Sequence, residues 1–259
     1  MPSFLPRSTR AMPRASLWAA GVLLACAMPA AVGAAAPEAN ASGVFLNEEG
    51  EVLTAAHAVA NCKSLFVMKG AQVAEARVRA LDAGLDLAVL QSTLKPYLSA
   101  TLAQADALPA TSIGVFAEAY ETLQRLPDRA LLRSNAMTVP GAEGLQLLSG
   151  ARPGASGTAV LGADGLLLGV VVERVAAAPH ASGQVLSRTS STAPLTGATQ
   201  VRAVSAAAIK PFLAAHGIAF SQSTSAQLSA YQSPAARAST LSVGVLCGGP
   251  RPIDSTTAP

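Results

Sequence analysis

The chain has 259 residues, 51% of them apolar and only 4% aromatic, with 18 Lys and Arg against 15 Asp and Glu. The resulting net charge of +3 is concentrated partly at the amino terminus, so it forms no basic footprint for nucleic acid and excludes that class of partner. Beyond a short leader about 225 residues remain, which accommodates one domain and no large second one.

At the amino terminus Arg7, Arg10 and Arg14 precede an apolar stretch over 17–28, and small residues follow to Ala36. This layout predicts a secretory signal peptide over 1–36, with Val32-Gly33-Ala34 as the small-residue cleavage pattern. Leu23-Leu24-Ala25-Cys26 offers a second reading, a lipoprotein signal that leaves Cys26 as a lipid-anchored first residue. A third is an uncleaved anchor over 17–36, which Pro29, Gly33 and the abundance of alanine weaken. All three predict export, to the periplasm or the medium, and the first two predict no membrane insertion once the signal is removed.

Next come two β-prone runs, 43–46 and 51–54, around the turn residues Asn47-Glu48-Glu49-Gly50; they read as a hairpin, and His57 follows its second strand. Asp86 opens the apolar run 87–90, which reads as a buried strand, while Asp82 nearby reads as a solvated turn residue. Ser156 lies in a glycine-flanked turn before a second hairpin, 159–161 and 166–172, around Gly162-Ala163-Asp164-Gly165. A loop rich in Ala, Ser, Thr and Gly is expected over 176–199. Ile209, Phe212 and Leu213 mark a helix over 206–216, with Pro211 able to kink or shorten it and His216 at its end. Residues 221–259 read as a partly disordered carboxy-terminal tail carrying a short strand at 240–246.

His57, Asp86 and Ser156 are the three residue types that serine-based acyl transfer needs. The hydroxyl requires an imidazole to take its proton, and the imidazole requires a carboxylate to fix its tautomer. Thr54-Ala55-Ala56-His57, Asp86-Leu87-Ala88-Val89-Leu90 and Gly154-Ala155-Ser156-Gly157, in that order, resemble the trypsin/chymotrypsin superfamily of serine peptidases, most of all its bacterial Deg-type branch. The resemblance covers 42–220. It implies an all-β fold of two six-stranded antiparallel barrels with a short carboxy-terminal helix. The peptidase domain would span 41–220, with barrel one over about 43–101, barrel two over about 112–205 and the helix over 206–216.

The same resemblance assigns an oxyanion hole to the N–H groups of Gly154 and Ser156. It places the floor of the primary specificity pocket at Gly150, where the lack of an acid implies a small or medium apolar side chain. Arg152, close by, alternatively attracts an acidic one. It also makes 200–204, with Val201, Arg202 and Ala203, the strand that pairs with extended substrate. The chain departs from the family at Ala155, where an acid or amide usually braces the oxyanion loop, and at Thr158 and Ala159, where glycine and proline are usual.

Beyond the signal Cys62 and Cys247 remain as two thiols, which in an oxidising compartment suggests one disulfide; two buried free thiols are the alternative. No Cys or His pair has metal-ligand spacing, so neither a metal nor a cofactor is expected.

Three functions follow as expectations. The first is an exported serine endopeptidase acting on polypeptides through His57, Asp86 and Ser156. The second is a catalytically degenerate homologue that binds peptides or proteins, favoured by Ala155, Thr158 and Ala159. The third, an esterase using Ser156, Asp164 and His180 or His216, fails because Thr158 spoils the Gly-x-Ser-x-Gly elbow and the chain lacks alternating strands and helices.

Overall fold

The computed structural model describes residues 39–107, 110–150, 154–174 and 199–248. The signal segment, Cys26, Arg152, His180 and nearly all of the loop expected at 176–199 lie outside the described residues. The first five strands are β1 (Ala41–Phe45), β2 (Glu51–Ala55), β3 (Ser64–Lys69), β4 (Gln72–Asp82) and β5 (Leu87–Ser92). After β6 (Thr101–Ala103) and β7 (Gly114–Val115) come helix α1 (Tyr120–Arg125), β8 (Ala136–Thr138), β9 (Leu145–Ser149), β10 (Ala159–Leu161) and β11 (Leu167–Arg174). The chain then forms β12 (Thr199–Ser205), α2 (Ala206–Ala215), β13 (Ser221–Ser223), α3 (Pro234–Leu241) and β14 (Ser242–Gly248).

Barrel one is a closed ring in the order β1-β14-β3-β4-β5-β2. Its hairpin and buried strand fall where the apolar runs put them, but its closing strand does not come from 43–101. β14 inserts between β1 and β3, with Ala41 opposite Val245 and Cys247 opposite Leu65. The stretch assigned to the tail is therefore structural as far as Gly248. Without β14, β1 and β3 would each present an unpaired edge. A local sequence pattern cannot reveal a partner strand some two hundred positions away, which is why this strand looked like an appendage.

The second sheet carries β7-β8-β9-β12-β11, with β10 on the far side of β11. It curls into a half-barrel whose two ends meet at one bridge, where Phe116 and Leu161 exchange two N–H to carbonyl bonds of 2.9 Å. β6 runs parallel to the start of β11, and β13 runs parallel to β6.

Three apolar clusters follow from this arrangement. Phe45, Val52, Leu90 and Val243 fill barrel one. Val115, Leu147, Val171 and Val201 fill the half-barrel. The third cluster is the seam between them, where Val44, Leu53 and Val89 meet Phe116, Leu161 and Val172. Successive residues of β1, β2 and β5 alternate between the barrel interior and the seam, so these strands are buried on both faces. That double burial is the physical reason 87–90 is uninterrupted apolar sequence.

Helix α2 buries Ile209, Phe212 and Leu213 and runs through the exposed Pro211 rather than breaking there. Packing of that face outweighs the one backbone bond proline removes. Gly217, at φ +61°, ends the helix, with Ile218 N–H donating to Leu213 C=O. Helix α3 was not anticipated. Ser233 caps it by accepting from Ala236 N–H, and Pro234 sits at its first position. Lys69 Nζ closes its other end, donating to the carbonyls of Ser239, Thr240 and Ser242 at 2.7, 2.8 and 2.5 Å. Burial, with Arg129 adding to it, pulls the Lys69 ammonium down to about 8. Arg237 of α3 is buried and donates to Gly165 and Gln227 carbonyls, and its burial lowers its proton affinity.

Cys62 and Cys247 form a disulfide with Cα atoms 5.2 Å apart. It fastens β14 to the segment just beyond His57. Among the described residues no helix is long and apolar enough to cross a membrane.

Candidate active site

His57 stands in a single 3-10 turn (Ala56–Ala58) that ends β2. Ala56 is buried in barrel one, which fixes the turn while leaving half of the His57 side chain exposed. Asp86 ends the turn between β4 and β5 in the left-handed region, φ +58°, a conformation that aspartate tolerates better than most residues. That backbone turns three acceptors toward one place. Asp86 C=O takes the Ala56 N–H at 3.1 Å, Oδ1 takes the His57 N–H at 2.9 Å, and Oδ2 lies 2.8 Å from His57 Nδ1. The carboxylate thus holds both the backbone and the ring of His57. It keeps 20% of its side-chain surface, so it sits at the rim of the groove rather than in the interior expected for a triad acid.

Across the seam, Ser156 Oγ lies 2.9 Å from His57 Nε2. Its loop is shaped by Gly154 at φ +89° and Gly157 at φ +84°. Gly157 N–H donates to Val171 C=O at 2.7 Å, and a Cβ at Gly157 would collide with the Ser42 carbonyl. Ala155 is buried against the half-barrel core, so its methyl, not a polar side chain, seats the loop there. Thr158 is buried too, and its hydroxyl has no partner among the described residues. The backbone N–H groups of Gly154 and Ser156 likewise donate to no acceptor among the described residues.

An open groove of about 530 Å³ runs past these groups, lined by His57, Ala83, Asp86, Ser156, Val172, Glu173 and Arg202. Arg202 Nε pairs with Glu173 Oε2 at 3.0 Å, which gives one wall a charged character. A larger, mostly apolar cavity of about 630 Å³ opens among Ala103, Ile113, Leu145, Leu166 and Leu168, but it touches none of the three reactive side chains. Among the described residues no three His, Cys, Asp or Glu side chains are placed to hold a metal ion.

The residues expected to bind substrate divide. β12 is paired on both sides, with β9 and with β11, so it offers no edge for an added strand. Val201 and Ala203 are core residues, and only Arg202 reaches the groove. The open edge beside Ser156 belongs instead to β11 beyond Val171, where Val172 and Glu173 line the groove. Sequence order misled here because β11 and β12 follow one another among the described strands and carry similar apolar patterns. Gly150 is exposed at the end of β9, outside the described groove, and a Cβ built on it would meet nothing within 4 Å. Sequence reading gave no role to Ser42 or Glu173 and named Thr54 only within the motif before His57. The one signal for Ser42 and Thr54 is that each is a small polar residue bordering or ending a β-prone run.

A family model described as trypsin-like peptidase domain matches residues 41–170. Among solved structures the chain is similar to a serine-to-alanine mutant of Rv3671c from M. tuberculosis H37Rv, in an inactive form. Identity is 18% over 68% of this chain and 81% of that one, with a TM-score of 0.44. A second structure, the inactive form of the Rv3671c protease, gives 19% identity over 68% and 83% of the two chains, with the same TM-score of 0.44. No curated protein matches the chain.

Proposed function

The chain belongs to the trypsin-like peptidase domain family, and from that premise we propose that it is an exported serine endopeptidase. The observation that carries this reading is the continuous line from Asp86 through His57 to Ser156, with both links under 3 Å. Ser156 Oγ attacks the scissile carbonyl while His57 Nε2 takes its proton, and Asp86 holds the Nδ1–H and stabilises the imidazolium. The N–H groups of Gly154 and Ser156 receive the developing oxyanion. His57 then protonates the leaving amine, and water, activated by the same imidazole, releases the acyl group.

Polypeptides are the substrates that family membership implies. The Glu173–Arg202 pair gives the groove a polar wall that accommodates hydrophilic side chains. The proposal of a small or medium apolar primary side chain rests on the absence of an acid at Gly150. The Cys62–Cys247 disulfide supports an oxidising destination. Mass spectrometry of the mature amino terminus distinguishes cleavage near Ala34 from lipidation of Cys26.

A degenerate peptide-binding homologue is the second reading, favoured by the Thr158 hydroxyl in the nucleophile loop, which is buried without a partner among the described residues. Hydrolysis of a peptide library separates the two. The wild type should cleave, and Ser156→Ala, His57→Ala and Asp86→Asn should each lower kcat by about a thousandfold or more. Peptide binding without turnover by a folded wild type would favour the binding protein.

A further inference from the structure

Ser42, in β1 of barrel one, is buried and makes a bond with every polar group it owns. Its N–H donates to Ser156 C=O at 2.8 Å, and its C=O accepts from Thr54 Oγ1 at 2.7 Å. Its Oγ donates to Gly154 C=O at 2.9 Å and accepts from Tyr120 N–H at 2.8 Å. Because Oγ accepts from a fixed backbone donor, its single proton is directed to Gly154. One residue of barrel one thereby holds two carbonyls of the nucleophile loop, those of Gly154 and Ser156.

We propose that Ser42 is a positioning residue that holds the oxyanion loop in its working conformation through the Oγ bond to Gly154. The inference rests on the peptidase reading above, in which Gly154 and Ser156 supply the oxyanion donors. Gly154 C=O belongs to the peptide plane that lies between the planes carrying those two N–H groups. Fixing that plane restricts rotation of both neighbours, which matters at Gly154 because glycine has few conformational limits of its own. At Ala155, the position before the nucleophile, no polar side chain braces the loop, since Ala155 has only a methyl turned into the half-barrel core. Ser42 supplies the polar brace from the opposite barrel. It touches neither substrate nor reacting atoms, and it acts on the step at which negative charge develops.

Such a role has a kinetic signature that general stabilisation lacks. Relative to wild type, Ser42→Ala should lower kcat on a peptide ester about 10- to 100-fold, the scale of a misplaced oxyanion donor. KM should stay within about threefold, because the groove is untouched. Affinity for a peptide boronate, which places an anionic oxygen in the hole, should fall by the same factor as kcat/KM. Ser42→Gly, which keeps the N–H to Ser156 and removes the whole side chain, should behave alike, and both variants should unfold cooperatively. An unchanged kcat in a folded Ser42→Ala, or a loss confined to KM, overturns the inference and leaves the peptidase reading intact. Failure of both variants to fold assigns the hydroxyl to folding and also overturns it. A wild type inert toward the ester overturns the peptidase reading, and this inference with it.

Discussion

Barrel one is a ring of six strands fastened by Cys62–Cys247, whereas the second sheet meets its own edge, among the described residues, at the single Phe116–Leu161 bridge. The two differ in chemistry as well. His57 and Asp86 stand on the closed ring, and the Ser156 loop hangs from the half-barrel. A base and a nucleophile 2.9 Å apart on separate bodies require those bodies to be held in register. The apolar seam crosses between them, and so do the hydrogen bonds of Ser42 to the nucleophile loop. Rigidity in this molecule is uneven: the acid and base are locked to each other locally, while the hydroxyl is placed by contacts that cross between the barrels.

The contrast breaks most completely if the ring is opened. Truncation after Leu241 removes β14, with Val243 and Val245 from the interior, and exposes the edges of β1 and β3. The truncated chain should fail to fold cooperatively, as followed by circular dichroism. Replacing Cys62 and Cys247 by serine keeps the strand and frees its end; since the bridge spans 185 positions, it should cost about 2–5 kcal/mol in denaturant unfolding. An unaltered midpoint would mean that the ring owes nothing to its fastening.

A smaller effect sharpens the picture on the half-barrel side. Thr158 carries a buried hydroxyl without a partner among the described residues, so Thr158→Val should stabilise the protein by about 1 kcal/mol. A marked loss of stability would instead show that the hydroxyl is satisfied in solution.

A further test concerns the clasp that Lys69 makes on α3. Its folded pKa of about 8 lies below the ordinary 10.5, so between those values the unfolded chain holds a proton that the folded chain has released. Stability contributed through Lys69 should therefore rise with pH across that window, and the rise should vanish in Lys69→Met. Melting of both proteins at pH 8 and pH 10 gives the difference directly. A parallel pH dependence in the two proteins would contradict it.

What the sequence revealed was what is local. The turns at 47–50 and 162–165 announce their hairpins through residue type. Asp86 is legible because it abuts a strand buried on both faces. The reactive residues could be named because each lies beside such a strand, although only the folded chain brings the three together. Contributions from far along the chain stayed hidden. β14 pairs across nearly the whole chain, so its run of seven apolar and small residues looked like part of a tail. The cap signal Ser233-Pro234 was present but lost in an Ala- and Ser-rich stretch. Ser42 reads as an ordinary small residue until Gly154 and Tyr120 close on its hydroxyl.

The central claim is that an imidazole on one barrel activates a hydroxyl on the other. Reaction of the folded wild type with a fluorophosphonate, followed by peptide mapping, tests it most directly. The account predicts one covalent adduct, on Ser156, abolished by Ser156→Ala and sharply reduced by His57→Ala. A well-folded wild type that takes up no label, or labelling at Ser156 that proceeds as fast without His57, would contradict it.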